Sequence, residues 1–306
     1  MLSDLPVWLN HFEYHAQQPR MIARETSNVL TLKERRAIAR SLAAFQRGEE
    51  SAGERLLERA RDFATRRSAP QIVSVVALLI AEEQRHARML GEFLDGHGLP
   101  RKRRDFLDCV FRGARHLGGF ELAIHVLLAA ELVGIVYYRS LESATRCRHL
   151  QALCRLMLAD EHAHVGFESA VVLALRAQRS RALRGLQRML YGAFFFTTVL
   201  AVWLAHRSVL SRAGHGLSSF ARACRAQYDF YLGPAGSLAP SLRPSGDVRA
   251  DTRAATPARG DAPARAQRVA KSCSAMLRND LNSSALPEGS SRNIVACSPG
   301  APLNRT

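Results

Sequence analysis

The sequence predicts an all-α fold: a bundle of amphipathic helices over residues 31–178, additional helices over 179–232, and a low-complexity tail over 233–306. Three observations predict it. Apolar residues recur at three- and four-residue spacing through about residue 232, the period of a helix with one buried face. Helix-start signatures stand where that period begins, at Thr31-Leu32-Lys33-Glu34 and at Ser68-Ala69-Pro70-Gln71. No alternating apolar–polar run of the kind that marks a half-buried strand appears.

Residues 1–30 read as an N-terminal extension. The stretch from Met1 to Arg20 contains polar and charged residues throughout, so no signal peptide is expected, and His11, Glu13 and His15 read as incidental polarity. The first bundle helix is expected from the Thr31–Glu34 capping box to about Arg66, with Leu42, Phe45, Ala52 and Leu56 on its apolar stripe. Glu49 sits in that stripe, and the adjacent Glu50 would replace it if the stripe were offset by one residue. Glu54 and Glu58 fall on more polar faces. The second helix starts after Pro70 and places Val76, Leu79, Glu83, His86 and Leu90 on one face. Between Pro100 and Gly119, Arg101-Lys102-Arg103-Arg104 and then Phe106, Cys109, Val110, Phe111 and Leu117 read as a long connection. The third helix, from Phe120 to about Ser143, is apolar nearly all round, as a central helix should be. Its one interior acid is Glu131, among Leu127, Leu128, Gly134 and Ile135. The fourth carries Cys154, Met157, Glu161 and His164 on one stripe.

Met189 to Ala205 has no charge over 17 residues and Arg188 and Arg207 at its flanks. That is at the lower edge for spanning a bilayer. A helix packed on the bundle is the favoured reading, with interfacial membrane attachment as its competitor. From about Gly233 the chain is rich in Pro, Gly, Ser, Ala and Arg without apolar period, which reads as disorder.

The formal charge is +16, of which the tail supplies +5 and residues 1–235 the remaining +11. The basic residues are dispersed over helix faces without aromatic interleaving, which argues for a solvated surface and against nucleic acid as partner. Six cysteines without a CxxC pair fit reduced thiols in the cytoplasm and argue against a rubrerythrin-like chain with its own iron–sulfur domain. Electrons for any redox cycle would come from an external donor.

Two stretches repeat one pattern: Ala81-Glu82-Glu83-Gln84-Arg85-His86 and Ala159-Asp160-Glu161-His162-Ala163-His164. Glu and His three apart project from one helix face and can reach one metal ion. Chance alone supplies about 0.6 such pairs in this composition, so position must carry the argument. A Glu on a buried face is costly unless it is paired or binds a metal. If antiparallel helices meet at short turns, residues equidistant from a turn share a height. The midpoint of Glu49 and Glu83 is position 66, beside the expected turn at Arg67–Pro70, and that of Glu131 and Glu161 is 146, within Thr145-Arg146-Cys147. All six side chains can therefore converge. His162 points about 100° off the ligand face, His125 faces away from Glu131, and Tyr137 or Tyr138 can approach the site.

Over residues 30–178 this constellation resembles the ferritin-like superfamily of di-iron carboxylate proteins, four-helix bundles with one Glu from each of two helices and Glu-x-x-His from each of the others. The resemblance implies Glu49, Glu83, His86, Glu131, Glu161 and His164 as ligands of two iron ions, with manganese as the alternative. It also implies that Glu82 and Asp160 each orient the ligand histidine of the opposite motif. The expected function is a di-iron oxidoreductase that activates dioxygen to oxidise or hydroxylate an organic small molecule. Iron oxidation or storage, and a non-enzymatic membrane-associated helical protein, are the alternatives. A homo-oligomer and a place at the inner face of the membrane through 189–205 are compatible with this reading.

Overall fold

Residues 4–18, 22, 30–51, 53–103, 111, 113 and 118–233 are described by a computed structural model. They form eight helices and no strand: α1 (Leu5–Gln17), α2 (Leu32–Glu49), α3 (Glu54–Arg67), α4 (Gln71–Gly96), α5 (Phe120–Ala144), α6 (Arg148–Ala177), α7 (Arg181–Arg212) and α8 (Leu217–Leu232). The tail reading, and that of Arg104, Phe106, Cys109, Val110 and Leu117 in the connection, lie outside the described residues.

Helix α2 starts where the sequence says. Thr31 Oγ1 accepts from the Glu34 backbone N–H at 3.3 Å, and Glu34 Oε2 accepts from the Thr31 backbone N–H at 2.9 Å. The other oxygen of Glu34 accepts from the Arg146 backbone N–H at 2.7 Å, so one carboxylate caps α2 and fastens it to the turn between α5 and α6.

The expected single helix over 31–66 is instead two. It breaks after Glu49 and restarts at Glu54, with Gly53 in the left-handed region at φ 67°. A side chain at Gly53 would also meet Ile80 at 2.5 Å, so glycine is required here on two counts. The break shifts the helical phase: α3 buries Leu57, Ala60, Phe63 and Ala64, whereas the uninterrupted stripe had pointed to Leu56.

Helix α4 packs on α1, α2, α3 and α6, while α5 packs on α3, α6, α7 and α8. The turns Ser68–Pro70 and Thr145–Cys147 close the α3–α4 and α5–α6 hairpins where the sequence places them. Helix α5 is central, with 19 of its 25 residues buried, Val133, Ile135 and Tyr137 completely. Burial of side chains of this size contributes about 1.5–3 kcal/mol each, and this core holds the site together.

The N-terminal helix is no loose extension. Leu5, Trp8 and Phe12 form its buried stripe, and Trp8 and Phe12 both meet Phe167 edge-on at 6.1 Å. Gly166 makes room, since a Cβ there would stand 2.7 Å from the Trp8 ring. Helix α7 is two-faced. Tyr191, Phe195, Val199 and Val202 are buried, whereas Leu186, Met189, Leu190, Phe196 and Leu204 are exposed. Both α5 and α7 are long and apolar enough to cross a membrane, but most of the apolar window of α5 is buried and only a third of that of α7.

Candidate metal centre

Each Glu-x-x-His motif sits on a long, uninterrupted helix, α4 or α6, because its flanking positions are apolar and helix-compatible. The fold brings the two motifs face to face. His86 and His164 are fully buried with ring centroids 5.6 Å apart. Nδ1 of His164 lies 3.0 Å from Glu83 Oε1 and 4.0 Å from Glu161 Oε2; Nδ1 of His86 lies 3.7 Å from Glu161 Oε1 and 3.9 Å from Glu83 Oε1. The far edges of both rings are held crosswise. Nε2 of His86 donates to Asp160 at 3.1 Å and Nε2 of His164 to Glu82 at 2.9 Å. Arg85 ties the two acids together, at 2.7 Å from Asp160 and 3.5 Å from Glu82. With Nε2 carrying the hydrogen, each Nδ1 turns its lone pair toward the carboxylates, the tautomer a metal ligand needs.

Two sets of ligand atoms gather within 4.8 Å: Glu49, Glu83, His86 and Glu161 in one, Glu83, Glu131, Glu161 and His164 in the other. All six residues singled out in the sequence belong to one or both, and Glu83 and Glu161 to both. No metal is present in the structure. The residues nevertheless fit one: buried Glu83 Oε1, His86 Nδ1, both Glu131 oxygens, Glu161 Oε2 and His164 Nδ1 all lack a hydrogen-bond partner outside this group of acids and histidines. The 3.0 Å approach of His164 Nδ1 to Glu83 Oε1 brings two of these atoms to one point, and a second proton on that ring, opposed by burial but favoured by Glu82 and Glu83, would bridge them. Orphaned buried donors and acceptors of this number are rare unless an ion completes them.

The electrostatics agree. Burial, then repulsion from Glu83 and Glu161, holds the Glu49 carboxyl well above the ordinary range. Burial, then repulsion among Glu83, Glu131 and Glu168, does the same to Glu131 and Glu161. Burial also pushes Glu83 and Asp160 up, but hydrogen bonding and charge from His164 and His86 outweigh it and hold both at about 2. A cluster of mutually repelling carboxylates in an apolar interior is relieved by cations.

A cavity of about 160 Å³ opens beside the cluster, lined by Phe45, Gly48, Ser51, Leu56, Leu79 and Gly134 among others, with Glu49, Glu83, Glu131 and Glu161 at its floor. Glu49 and Glu83 keep some accessible surface because they face this cavity. The break between α2 and α3 forms one wall. Tyr138 is the tyrosine that reaches the site, donating to Glu49 Oε1 at 2.6 Å. Tyr137 turns away, stacked on Phe45 with centroids 3.5 Å apart and bonded to Ser41 at 2.9 Å.

His162 and His125 bond away from the two ligand sets. His162 Nε2 accepts from Arg139 at 3.2 Å and its Nδ1 meets Tyr231 at 2.7 Å, while His125 Nδ1 donates to the Glu121 carbonyl at 2.8 Å. One residue escaped the sequence reading. Glu168, seven positions after Glu161 and so on the same stripe, is completely buried, and the one group its oxygens meet is the Glu131 carboxyl. The signal that could have found it is its place four residues after His164 on an otherwise apolar face. No protein-family model, no curated protein and no solved structure matches this chain.

Proposed function

We propose that the protein is a ferritin-like di-iron carboxylate oxidoreductase that uses dioxygen to oxidise or hydroxylate an apolar organic substrate, with electrons from an external donor. The observation that carries this is the crossed arrangement in which His86 pairs with Asp160 and His164 with Glu82, leaving both Nδ1 atoms and the shared carboxylates Glu83 and Glu161 directed at one another. Helices α2–α3, α4, α5 and α6 would be the four rods of the bundle. Glu49, Glu83, His86, Glu131, Glu161 and His164 would hold two iron ions, or manganese. Such a pair supplies the two electrons that dioxygen reduction needs.

The chain's own residues account for the rest. The apolar walls at Phe45, Leu56, Leu79 and Gly134 exclude water and select an organic substrate over a hydrated ion, which favours oxidation chemistry over iron storage. Tyr138 holds Glu49 in place at the cavity floor. Arg85 bridges Asp160 and Glu82, the hydrogen-bond acceptors for the two rings.

The test is metal analysis of freshly purified protein, with an optical spectrum taken before and after oxygen is admitted. About two iron ions per chain and an oxygen-dependent absorption change support the reading. Protein that binds no divalent metal overturns it.

The exposed apolar side chains of α7, with Arg181, Arg184 and Arg188 in the same helix, favour a membrane surface as partner at the cytoplasmic side. Flotation with vesicles containing anionic lipid would detect it, and replacing Leu190 and Phe196 by Ser should weaken it. Among the described residues, the buried thiols of Cys154 and Cys224 are in keeping with a reducing compartment.

A further inference from the structure

We infer that Glu168 is a seventh metal ligand, a carboxylate that binds the ion held by Glu83, Glu131, Glu161 and His164 and makes the two metal positions unequal. The inference rests on the di-metal reading above and goes beyond it, since neither the two Glu-x-x-His motifs nor the paired single glutamates include this residue.

The argument begins with helix geometry. Glu161, His164 and Glu168 fall at i, i+3 and i+7 of α6, one stripe of a single face. Side chains on a helix lean toward its N-terminus. A glutamate one turn beyond His164 therefore reaches back toward the level of the imidazole rather than away from it. Besides burial, the groups that act on the Glu168 carboxyl are Glu131, which meets it directly, and His164, Glu83 and Glu161, the four residues of the second ligand set, which Glu168 adjoins without being one of its gathered atoms. None of them belongs to the Glu49–His86 side alone.

The second observation is independent of that placement. Glu168 is wholly buried, and the one group its oxygens meet is the facing carboxyl of Glu131, itself an acid. Among the described residues no Lys or Arg forms an ion pair with it. A carboxylate left like this is among the most costly groups a protein interior can carry, and a structural role offers no return for it. Glu131 is in the same condition, with no partner but Glu168, and burial and repulsion from Glu168 hold its carboxyl well above the ordinary range. An ion between them satisfies both at once.

The consequence is an asymmetric pair. One position draws on Glu49, Glu83, His86 and Glu161; the other on Glu83, Glu131, Glu161 and His164 with Glu168 added. The second has the greater negative charge and more oxygen donors, so it should fill first and hold its ion longer.

The experiment is titration of metal-free, full-length protein with Mn²⁺, reading free Mn²⁺ by its electron paramagnetic resonance signal. Wild type should take up two ions with distinguishable affinities. E168Q, which keeps the shape and removes the charge, should weaken the tighter position at least about tenfold and leave the other within about twofold; E168D should fall between. Circular dichroism and a thermal melt establish that each variant is folded, and E168D serves if E168Q is not. Two unchanged affinities in folded E168Q overturn the inference while leaving the di-metal reading intact. Wild type that binds no Mn²⁺ and no Fe²⁺ removes that reading, and this inference with it.

Discussion

Tyr138 on α5 donates its phenolic hydrogen to Glu49, the last residue of α2, at 2.6 Å. The bond spans 89 residues of sequence and fixes the carboxyl at the point where the first rod breaks. Replacing Tyr138 by Phe removes the donor and leaves a buried carboxyl oxygen unsatisfied. The metal-free protein should lose about 1–3 kcal/mol of stability, measured by urea denaturation, while metal stoichiometry is retained. An unchanged midpoint would mean that the bond contributes nothing net.

Because Glu83 and Glu161 belong to both ligand sets and each histidine to one, the alanine variants should separate into two groups. E83A and E161A should lose both metals. H86A and H164A should each retain about one per chain, read by elemental analysis of the desalted protein. Equal loss in all four would show that the two positions are filled only together.

Asp160 and Glu82 accept from the histidine edges that face away from the ligand sets. Replacing Asp160 by Asn, or Glu82 by Gln, leaves the shape but withdraws the charge that fixes the tautomer. Metal affinity should fall about 10–100-fold with the fold intact. An affinity within twofold of wild type in both would show that the rings need no such orientation.

Glu34 supplies a pH dependence far from the metals. Burial raises its pKa, but the bonds from Thr31 and the Arg146 backbone, with the charge of Arg212, bring it below the ordinary value of 4.5. A pKa lower in the folded state means that the unfolded chain binds the proton more readily. The stabilisation is therefore complete above about pH 4.5 and lost as the pH falls through the lower folded value. E34Q should lower stability at neutral pH by about 1–2 kcal/mol and flatten the acid limb of a stability–pH curve. A variant whose acid limb coincides with that of wild type would contradict this.

Local signals carried far in this chain. The Thr31 capping box, the two turns and the stripes of α4 and α6 could be read because caps, turn residues and helical period act over a few positions, and from them the six site residues followed. The break at 50–53 did not show, because Gly53 among Glu, Ser and Ala looks like a tolerated helix glycine until Ile80 is seen to fill the space behind it. Glu168 stayed hidden for a related reason: it belongs to no motif, and its place on the apolar face of α6 gains meaning only from the approach of Glu131 from α5. The fit of Trp8 over Gly166 was likewise invisible, since it depends on where an N-terminal helix comes to rest.

The crossed histidine–acid pairs have a consequence for assembly. His86 is completed by a residue of α6, and His164 by one of α4, so neither hairpin possesses a finished site. Under the di-metal reading, ions would be captured only once the two halves have docked, and their capture would then oppose separation by about 2.7 kcal/mol for each position at a hundredfold excess over its dissociation constant. If the proposed ions bind, their uptake would double as a report that the halves have come together.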